Sequence, residues 1–250
     1  MKLEKAYKLL ANAEKISNRA AKELIDRGVV YSRGEKITVA RGEMPLNAKF
    51  KVLKSDEIVK IYEDKNMLVV NKPAYILSED VAKKLGHPLL HRLDKETSGV
   101  LILSKDEEFT KKAIEEFKAL RVEKIYLAIV GGRVVEPIKI DFKIETIKKE
   151  SGAISKISDR GKEAITEVEP LLIEGKNSLV KVKILTGRTH QIRVHLKEIG
   201  HPLLGDERYG GKKAPRVMLH AYSLKIFDKS FKAKLPNDFA KLGFETDIRI

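Results

Sequence analysis

Residues 91–103, HRLDKETSGVLIL, join a polar turn to an apolar run. Asp94 stands between two cations of this turn, Arg92 and Lys95, and the turn ends in glycine. Asp and Gly are common in turns, because an Asp side chain bonds nearby backbone and Gly accepts positive φ angles. The apolar run at residues 100–103 predicts a buried strand. The sequence therefore places one carboxylate, flanked by positive charge, at the start of a buried strand.

The composition is strongly basic and free of cysteine. The 250 residues include 50 Lys and Arg against 36 Asp and Glu, a formal net charge of +14. This excess favours polyanionic partners, above all nucleic acid, although a generally basic soluble protein would have the same composition. The absence of cysteine excludes disulfides, thiolate catalysis and Cys-ligated zinc. With a charged N-terminus and no long apolar run, the sequence predicts a soluble, cytoplasmic protein without membrane contact.

The charge is concentrated near the N-terminus. Residues 1–55 hold 13 Lys and Arg against 6 Asp and Glu, whereas the remaining 195 residues hold 37 against 30. Half of the excess therefore lies in less than a quarter of the chain. We predict two domains, a small basic α/β module in residues 1–55 and a larger domain in residues 56–250.

The basic module shows signals for helices followed by short strands. Apolar residues at helical spacing predict its first helix: Leu3, Ala6, Tyr7 and Leu10. A second helix is predicted to begin after Ser17, a suitable N-cap, and to stop at Gly28. Segments that resemble strands follow at residues 29–31, 36–40 and 49–53.

In the larger domain, strand signals outnumber helix signals. Strands are predicted at residues 58–64, 67–73, 100–103, 123–132, 138–146, 163–173, 178–186 and 217–226. Helices are predicted at residues 106–120, 190–200 and 235–245, with a loop between residue 75 and His91. Many strands without regular βαβ alternation indicate an α+β domain with a largely antiparallel sheet.

A second stretch supplies basic side chains that could meet Asp94. Residues 186–196, TGRTHQIRVHL, contain Arg188, His190 and Arg193. Arg193 follows His190 by three positions and shares its helical face. A guanidinium against Asp94 would keep the carboxylate ionised and orient it through bidentate hydrogen bonds. We therefore expect Arg193 to bind Asp94.

Five blocks in this order resemble the signature blocks of RluA-type pseudouridine synthases: LVVNKPAY (68–75), HRLDKETSGVLIL (91–103), EKIYLAIVGG (123–132), TGRTHQIRVHLKEIGHPLLGDERYG (186–210) and RVMLHAYSL (216–224). Each block alone is weak evidence, but five in order cover most of residues 58–226. The resemblance implies an isomerase that converts uridine to pseudouridine in structured RNA without metal or cofactor. It also implies a large mixed, mostly antiparallel sheet flanked by helices.

The same resemblance assigns roles to four residues. Asp94 is the catalytic carboxylate, acting as nucleophile or as base, and Arg193 is its guanidinium partner. Tyr126 offers a flat face for the base, and its hydroxyl is a hypothetical acceptor of the proton on carbon 5. Because the reacting atoms are inaccessible in a stacked helix, the nucleotide must be extruded, and Arg92 fills the vacated space. One departure is Tyr75, which stands where the family usually has glycine.

The basic module is similar to the alpha-L RNA-binding module, named after ribosomal protein S-four, over residues 17–37, although the usual Arg-Leu-Asp opening is absent. We expect RNA contacts from seven residues: Arg19, Arg27, Arg33, Arg92, Lys124, Arg188 and His190. This module favours large-subunit (23S) ribosomal RNA as the substrate, with transfer RNA as the alternative. A monomer without an obligatory protein partner is the default expectation.

Three other interpretations were open at this point. A non-catalytic RNA-binding assembly factor would keep the fold, but it would be expected to have an impaired site. A glycoside hydrolase usually needs two facing carboxylates, and the blocks supply one. Zinc binding by His190 and His195 is disfavoured, because two ligands on one helical face are usually four residues apart and these are five apart.

Overall fold

The computed structural model describes residues 2–26, 28–52, 57–149 and 152–244. Arg27, one of the predicted RNA contacts, lies outside these ranges. The chain forms two compact units, Met1–Asp56 and Glu57–Ile250. Within the described ranges, no helix has the length and apolar character needed to cross a membrane.

The first unit contains two helices and two small sheets among its described residues. The helices are α1 (Ala6–Glu14) and α2 (Asn18–Asp26), and the strands are β1 (Leu3–Lys5), β2 (Val30–Ser32), β3 (Glu35–Lys36), β4 (Glu43–Pro45) and β5 (Lys51–Val52). β1 pairs with β4, and β2 lies between β3 and β5. The amide of Ala20 donates to Ser17 Oγ at 3.1 Å, which confirms the predicted N-cap of α2.

Two predictions for this unit were wrong. Leu3 was placed in the first helix but belongs to β1, where it pairs with Pro45. Residues 37–40 were predicted as strand and are not. The β1–β4 pair joins segments about forty residues apart, and such a pairing leaves no mark in the local periodicity.

The second unit is built on a mixed sheet. Its strands are β6 (Val59–Glu63), β7 (Met67–Lys72), β8 (Ser98–Ser104), β9 (Glu123–Gly131), β10 (Ile138–Ile140), β11 (Ile144–Lys149), β12 (Gly152–Ile157), β13 (Thr166–Glu174), β14 (Asn177–Ile184), β15 (Leu219–Ile226) and β16 (Lys229–Lys232). The main sheet has the order β10-β13-β14-β9-β15-β8-β7-β6, with β16 on β15, while β11 and β12 form a separate hairpin. β8 and β15 run parallel, and the other described neighbours in the sheet run antiparallel. The predicted α+β fold is confirmed.

The helices of this unit are α3 (Ser78–Leu85), α4 (Glu107–Lys118), α5 (Gln191–Glu198) and α6 (Asn237–Ala240), with a short 3₁₀ helix at Glu207–Tyr209. The Asp106 side chain caps α4 by accepting from the amide of Phe109 at 2.7 Å. α4 and α5 confirm the predictions, whereas α6 is shorter than expected. α3 was missed because its buried residues, Ser78 and Val81, make too weak an apolar pattern.

Gly99 joins the polar turn to the sheet. A Cβ at this position would lie 2.2 Å from the carbonyl oxygen of Ala221, and the residue has φ of 121°. Only glycine fits this close approach, which pairs Gly99 with Ala221 in the parallel β8–β15 register. Ala221 also pairs with Tyr126 on β9. One short stretch of β15 therefore brings the Asp94 turn and Tyr126 to the same part of the sheet.

Candidate active site

A cleft of about 800 Å³ opens in the second unit. Its lining combines residues that lie far apart in sequence, and it includes every cleft residue that the sequence singled out: Arg92, Asp94, Lys124, Tyr126, Arg188, His190 and Arg193. The volume is in the range typical of ligand sites in proteins. The fold therefore assembles the predicted groups around one concave surface.

The carboxylate of Asp94 faces the guanidinium of Arg193. Nη1 of Arg193 lies 3.5 Å from Oδ2 of Asp94, and the Arg193 side chain is buried while that of Asp94 is about three-quarters buried. The same Nη1 donates to Oε2 of Glu96 at 3.3 Å. The predicted pairing is present, but it is shared between two carboxylates of the same turn.

The predicted bidentate geometry at Asp94 was wrong. Arg193 directs Nε and Nη2 at Asp206, with distances of 2.7 and 2.8 Å to its two carboxylate oxygens. The Asp206 side chain is 1% exposed, and a carboxylate removed from water requires full hydrogen bonding. Asp94 keeps partial access to the cleft, so it needs less compensation.

The charges around Arg193 fix its ionisation. Burial alone would lower the pKa of Arg193, but the hydrogen bonds and charge of Asp206, together with Asp94 and Glu96, raise it above its ordinary value of 12.5. Burial is the largest influence on Glu96 and would raise its pKa, but the charge of Arg193, a backbone hydrogen bond and neighbouring positive charges together lower the pKa below 4.5. At neutral pH this cluster therefore contains a cation and ionised Glu96 beside Asp94.

His190 directly precedes α5 and also lies near Asp94. Its Nε2 is 4.0 Å from Oδ2 of Asp94, and its Nδ1 is 2.8 Å from the hydroxyl of Tyr209. Burial lowers the pKa of His190 below 6.5, although Asp94 opposes this shift. The imidazole is therefore neutral at neutral pH.

Tyr126 presents its ring to the cleft from β9 and is partly buried. Burial, and then the charge of Asp94, raise the pKa of its hydroxyl above 10.0. The hydroxyl is therefore protonated at neutral pH. A flat aromatic face beside a carboxylate suits a planar base next to a reacting sugar.

The predicted RNA contacts occupy different settings. Arg92 is 71% exposed and pairs with Glu79 at 3.3 Å on the rim. Lys124 donates to the carbonyl of Thr186 at 3.4 Å, and Arg188 donates to that of Glu163 at 2.9 Å. In the first unit, Arg19 is exposed on α2 and Arg33 lies exposed in the turn between β2 and β3.

Sequence reasoning missed four residues that shape the site: Lys72, Glu96, Asp206 and Tyr209. Each lies inside one of the five blocks, so the signal was a polar residue without an assigned role. Lys72 is fully buried and donates to the carbonyls of Pro73, Ile76 and Lys95. Its hydrogen bond to the carbonyl of Lys95 ties it to the backbone of the turn that carries Asp94.

Tyr75 accounts for one departure from the family pattern. It has φ of 67°, a conformation that favours glycine and is uncommon for other residues. Its side chain is buried, and its hydroxyl donates to the carbonyl of Pro215 at 3.3 Å. The chain keeps the glycine-type backbone here and adds a packed aromatic ring.

An RNA pseudouridylate synthase family model matches residues 66–198. The chain belongs to this family. It is 49% identical over 241 residues to an "Uncharacterized RNA pseudouridine synthase" of Helicobacter pylori (strain J99), a match that covers 95% of this chain and 99% of the relative. It is 39% identical over 215 residues to "Ribosomal large subunit pseudouridine synthase D" of Borreliella burgdorferi, covering 74% and 66% of the two chains.

Comparison with solved structures also finds a pseudouridylate synthase. The solved structure of human "RNA Pseudouridylate Synthase Domain Containing 4" matches with a TM-score of 0.64 and 25% identity, covering 75% of this chain and 94% of that one. The predicted membership of the RluA-type synthases is confirmed, and the protein is an RNA pseudouridine synthase that isomerises uridine in RNA. This assignment replaces the hydrolase and the non-catalytic binding factor.

Proposed function

We propose that this synthase modifies specific uridines of large-subunit (23S) ribosomal RNA in the cytoplasm, as a monomer, with Asp94 as its catalytic carboxylate. The observation that carries the proposal is the position of Asp94 Oδ2, 3.5 Å from a buried guanidinium in a cleft. The ribosomal substrate is supported by the Borreliella burgdorferi relative, whose name assigns it to the large subunit. The basic N-terminal unit supports it as well.

Asp94 must be an anion to act on the sugar, either as nucleophile or as base. Arg193 favours the anion because its own charge is fixed by Asp206. Full bidentate pairing to Asp94 would occupy both of its carboxylate oxygens. Contact through one nitrogen instead orients the group and leaves it available for chemistry.

Arg92 is suited to replace the extruded nucleotide. Among the described residues its guanidinium pairs with Glu79, in an exposed ion pair, and exposed pairs of this kind contribute at most about 1 kcal/mol. The side chain is therefore free to leave Glu79 and stack between bases. This substitution would offset part of the cost of unstacking, which is a few kcal/mol.

Tyr126 stacks on the extruded uracil in this proposal, and its hydroxyl relays a proton late in the reaction: the oxygen accepts the proton from carbon 5 while the hydroxyl gives its own proton to water in the cleft. The charge of Asp94 is one of the two causes that raise the pKa of the hydroxyl. If Asp94 becomes bonded to the sugar, that charge disappears and the pKa falls. The hydroxyl would then become a better match for proton transfer.

The remaining basic residues bind the phosphate backbone. Lys124 and Arg188 line the cleft, where cations attract phosphate groups. His190, which was also predicted to contact RNA, is neutral there and faces Asp94, so it adds no charge for a phosphate. We assign the first unit to the alpha-L type, with Arg19 and Arg33 contacting RNA. Both side chains are exposed, as such contacts require.

The test is release of tritium from transcripts labelled at carbon 5 of uridine. Wild-type enzyme should release tritium from large-subunit ribosomal RNA without releasing free uracil, and more slowly from transfer RNA. Asp94→Asn should abolish release and leave RNA binding nearly unchanged, since the substitution is almost isosteric. Asp228→Asn, an exposed turn residue, is the matched control.

Each alternative has its own result. Retained turnover by Asp94→Asn would refute the catalytic assignment. Faster release from transfer RNA than from ribosomal RNA would assign the enzyme to the alternative substrate. Mapping pseudouridines in both RNA classes from cells lacking the gene would then identify the uridine.

A further inference from the structure

His190 has a left-handed backbone conformation directly before α5, which is unusual for a residue other than glycine. It is a non-glycine residue with φ of 54° at the first position before α5, and its side chain makes no capping bond there. A left-handed residue of this kind costs on the order of 1 kcal/mol or more and persists only where the surroundings enforce it. Here the surroundings are Tyr209 on one side of the ring and Asp94 on the other.

The hydrogen bonds around Tyr209 limit where the proton on His190 can reside. The amide of Ser155 donates to the Tyr209 hydroxyl oxygen at 3.0 Å. The hydroxyl has one proton and two possible acceptors, Nδ1 of His190 at 2.8 Å and the carbonyl of Ser155 at 3.2 Å. The contact to Nδ1 is the shorter of the two, and we take the proton as donated there because the opposite assignment would turn the lone pair of Nε2 toward Asp94. A neutral imidazole that accepts at Nδ1 must carry its proton on Nε2.

Electrostatics favour the same tautomer. Nε2 is the ring nitrogen that faces Oδ2 of Asp94, at 4.0 Å. An N–H directed at a carboxylate is attracted, whereas a lone pair in that place would be repelled. Glu96 adds negative charge near the ring, and Arg193 and Arg208 oppose a second proton. The ring is thus held neutral, with its donor toward Asp94.

We propose that His190 is a positioning residue for Asp94, fixed by Tyr209 as the Nε2–H tautomer so that a neutral donor restrains the carboxylate oxygen that Arg193 also contacts. The inference rests on Asp94 being the catalytic group. The separation of 4.0 Å exceeds a hydrogen bond by about 1 Å, so the proposal requires the two groups to move closer by that amount when a nucleotide binds. A neutral donor orients the carboxylate without adding a second positive charge.

The tautomer can be read directly, without RNA and without activity. In protein labelled with ¹⁵N-histidine, the His190 ring is assigned by its loss in His190→Gln. The expected spectrum at neutral pH shows an unprotonated Nδ1 and a protonated Nε2. Tyr209→Phe keeps the ring but removes the donor, and it should shift His190 toward the other tautomer. A wild-type ring protonated at Nδ1, or at both nitrogens, would overturn the proposal.

Replacing His190 with Gln or Asn tests whether the residue positions Asp94 or only fills space. Gln places an amide nitrogen near the position of Nε2, whereas Asn reaches only as far as Nδ1. We expect His190→Asn and His190→Ala to slow single-turnover tritium release about 100-fold, the effect of misplacing a reacting group by about 1 Å. His190→Gln should restore most of the rate, and RNA affinity should change little in all three variants.

The control is His201→Ala, which removes a histidine bonded to the carbonyl of Gly131 and should keep the wild-type rate. Equal rates for the Gln and Asn variants would contradict the proposal, as would a loss confined to RNA affinity. Asp94→Asn distinguishes a failure of the proposed function from a failure of the inference about His190. If that variant turns over, the proposed function fails; if it is inactive and His190 has the wrong tautomer, only this inference fails.

Discussion

Asp206 holds the buried guanidinium of Arg193 through two hydrogen bonds, of 2.7 and 2.8 Å, although the two residues are thirteen positions apart and belong to different elements. The remaining nitrogen of Arg193 reaches the turn that carries Asp94. Both carboxylate oxygens of Asp206 accept hydrogen bonds from Arg193, and the side chain is buried, so we do not expect Asp206 to contact the nucleotide. Its effect on catalysis must therefore pass through the orientation of Arg193.

Asp206→Asn should slow turnover because the guanidinium loses one of its three carboxylate partners and no longer meets Asp94 in a fixed orientation. We expect a loss of about 100-fold in turnover and of about 3 kcal/mol in the free energy of unfolding. Tritium release and urea unfolding measure the two effects. The control is Asp238→Asn, which breaks the similar pair with Arg216 and should destabilise the protein without slowing the reaction. Equal losses of activity in both variants would show that Asp206 acts through stability alone.

Tyr126→Phe should bind RNA normally and turn over slowly, because the ring remains for stacking while the hydroxyl is lost. General acid–base groups contribute about 10²- to 10⁴-fold, so we expect a decrease within that range. Tyr126→Leu should in addition weaken binding by about 1–3 kcal/mol, the contribution of stacking one base on an aromatic ring. Filter binding and single-turnover release separate the two effects. A fully active Phe variant would leave the hydroxyl without a role.

Replacing both Arg19 and Arg33 with alanine should weaken RNA binding and reduce its dependence on salt. Each phosphate contact releases counterions, so losing two contacts should reduce the log–log salt slope by about 1.5. The control replaces both residues with lysine, which retains the charge and should retain the slope. An unchanged slope in the alanine variant would mean that these side chains do not contact phosphate.

Lys72 should make stability depend on pH. Burial lowers its pKa from 10.5 to about 7, against the opposing charges of Asp94 and Glu96. Between these values the unfolded chain binds a proton that the folded chain does not, so the free energy of unfolding rises with pH, by up to about 1.4 kcal/mol per unit. Urea unfolding between pH 7 and 9 should show this rise, and Lys72→Met should remove it. Lys83→Met, on the exposed side of α3, should preserve it.

Local signals predicted the elements that carry the site. Ser17 caps its helix as predicted, because a cap depends on a few neighbouring residues. The apolar run after Gly99 is the buried strand that was predicted. The β1–β4 pair and the α3 helix were missed, since one depends on a distant partner and the other buries few side chains.

The sequence, through its resemblance to the RluA-type synthases, supplied the candidate residues for the chemistry: a carboxylate in a turn ahead of a buried strand, an aromatic residue on a strand, and an arginine on a short helix. It did not determine which carboxylate would accept the two parallel hydrogen bonds of Arg193. Asp94, Glu96 and Asp206 all carry a carboxylate, and the folded chain removes Asp206 from water far more completely than the other two. Desolvation makes Asp206 the group that must be fully bonded, and residual exposure leaves Asp94 available to a nucleotide. That difference is a property of packing between distant segments, so only the tertiary structure could decide it.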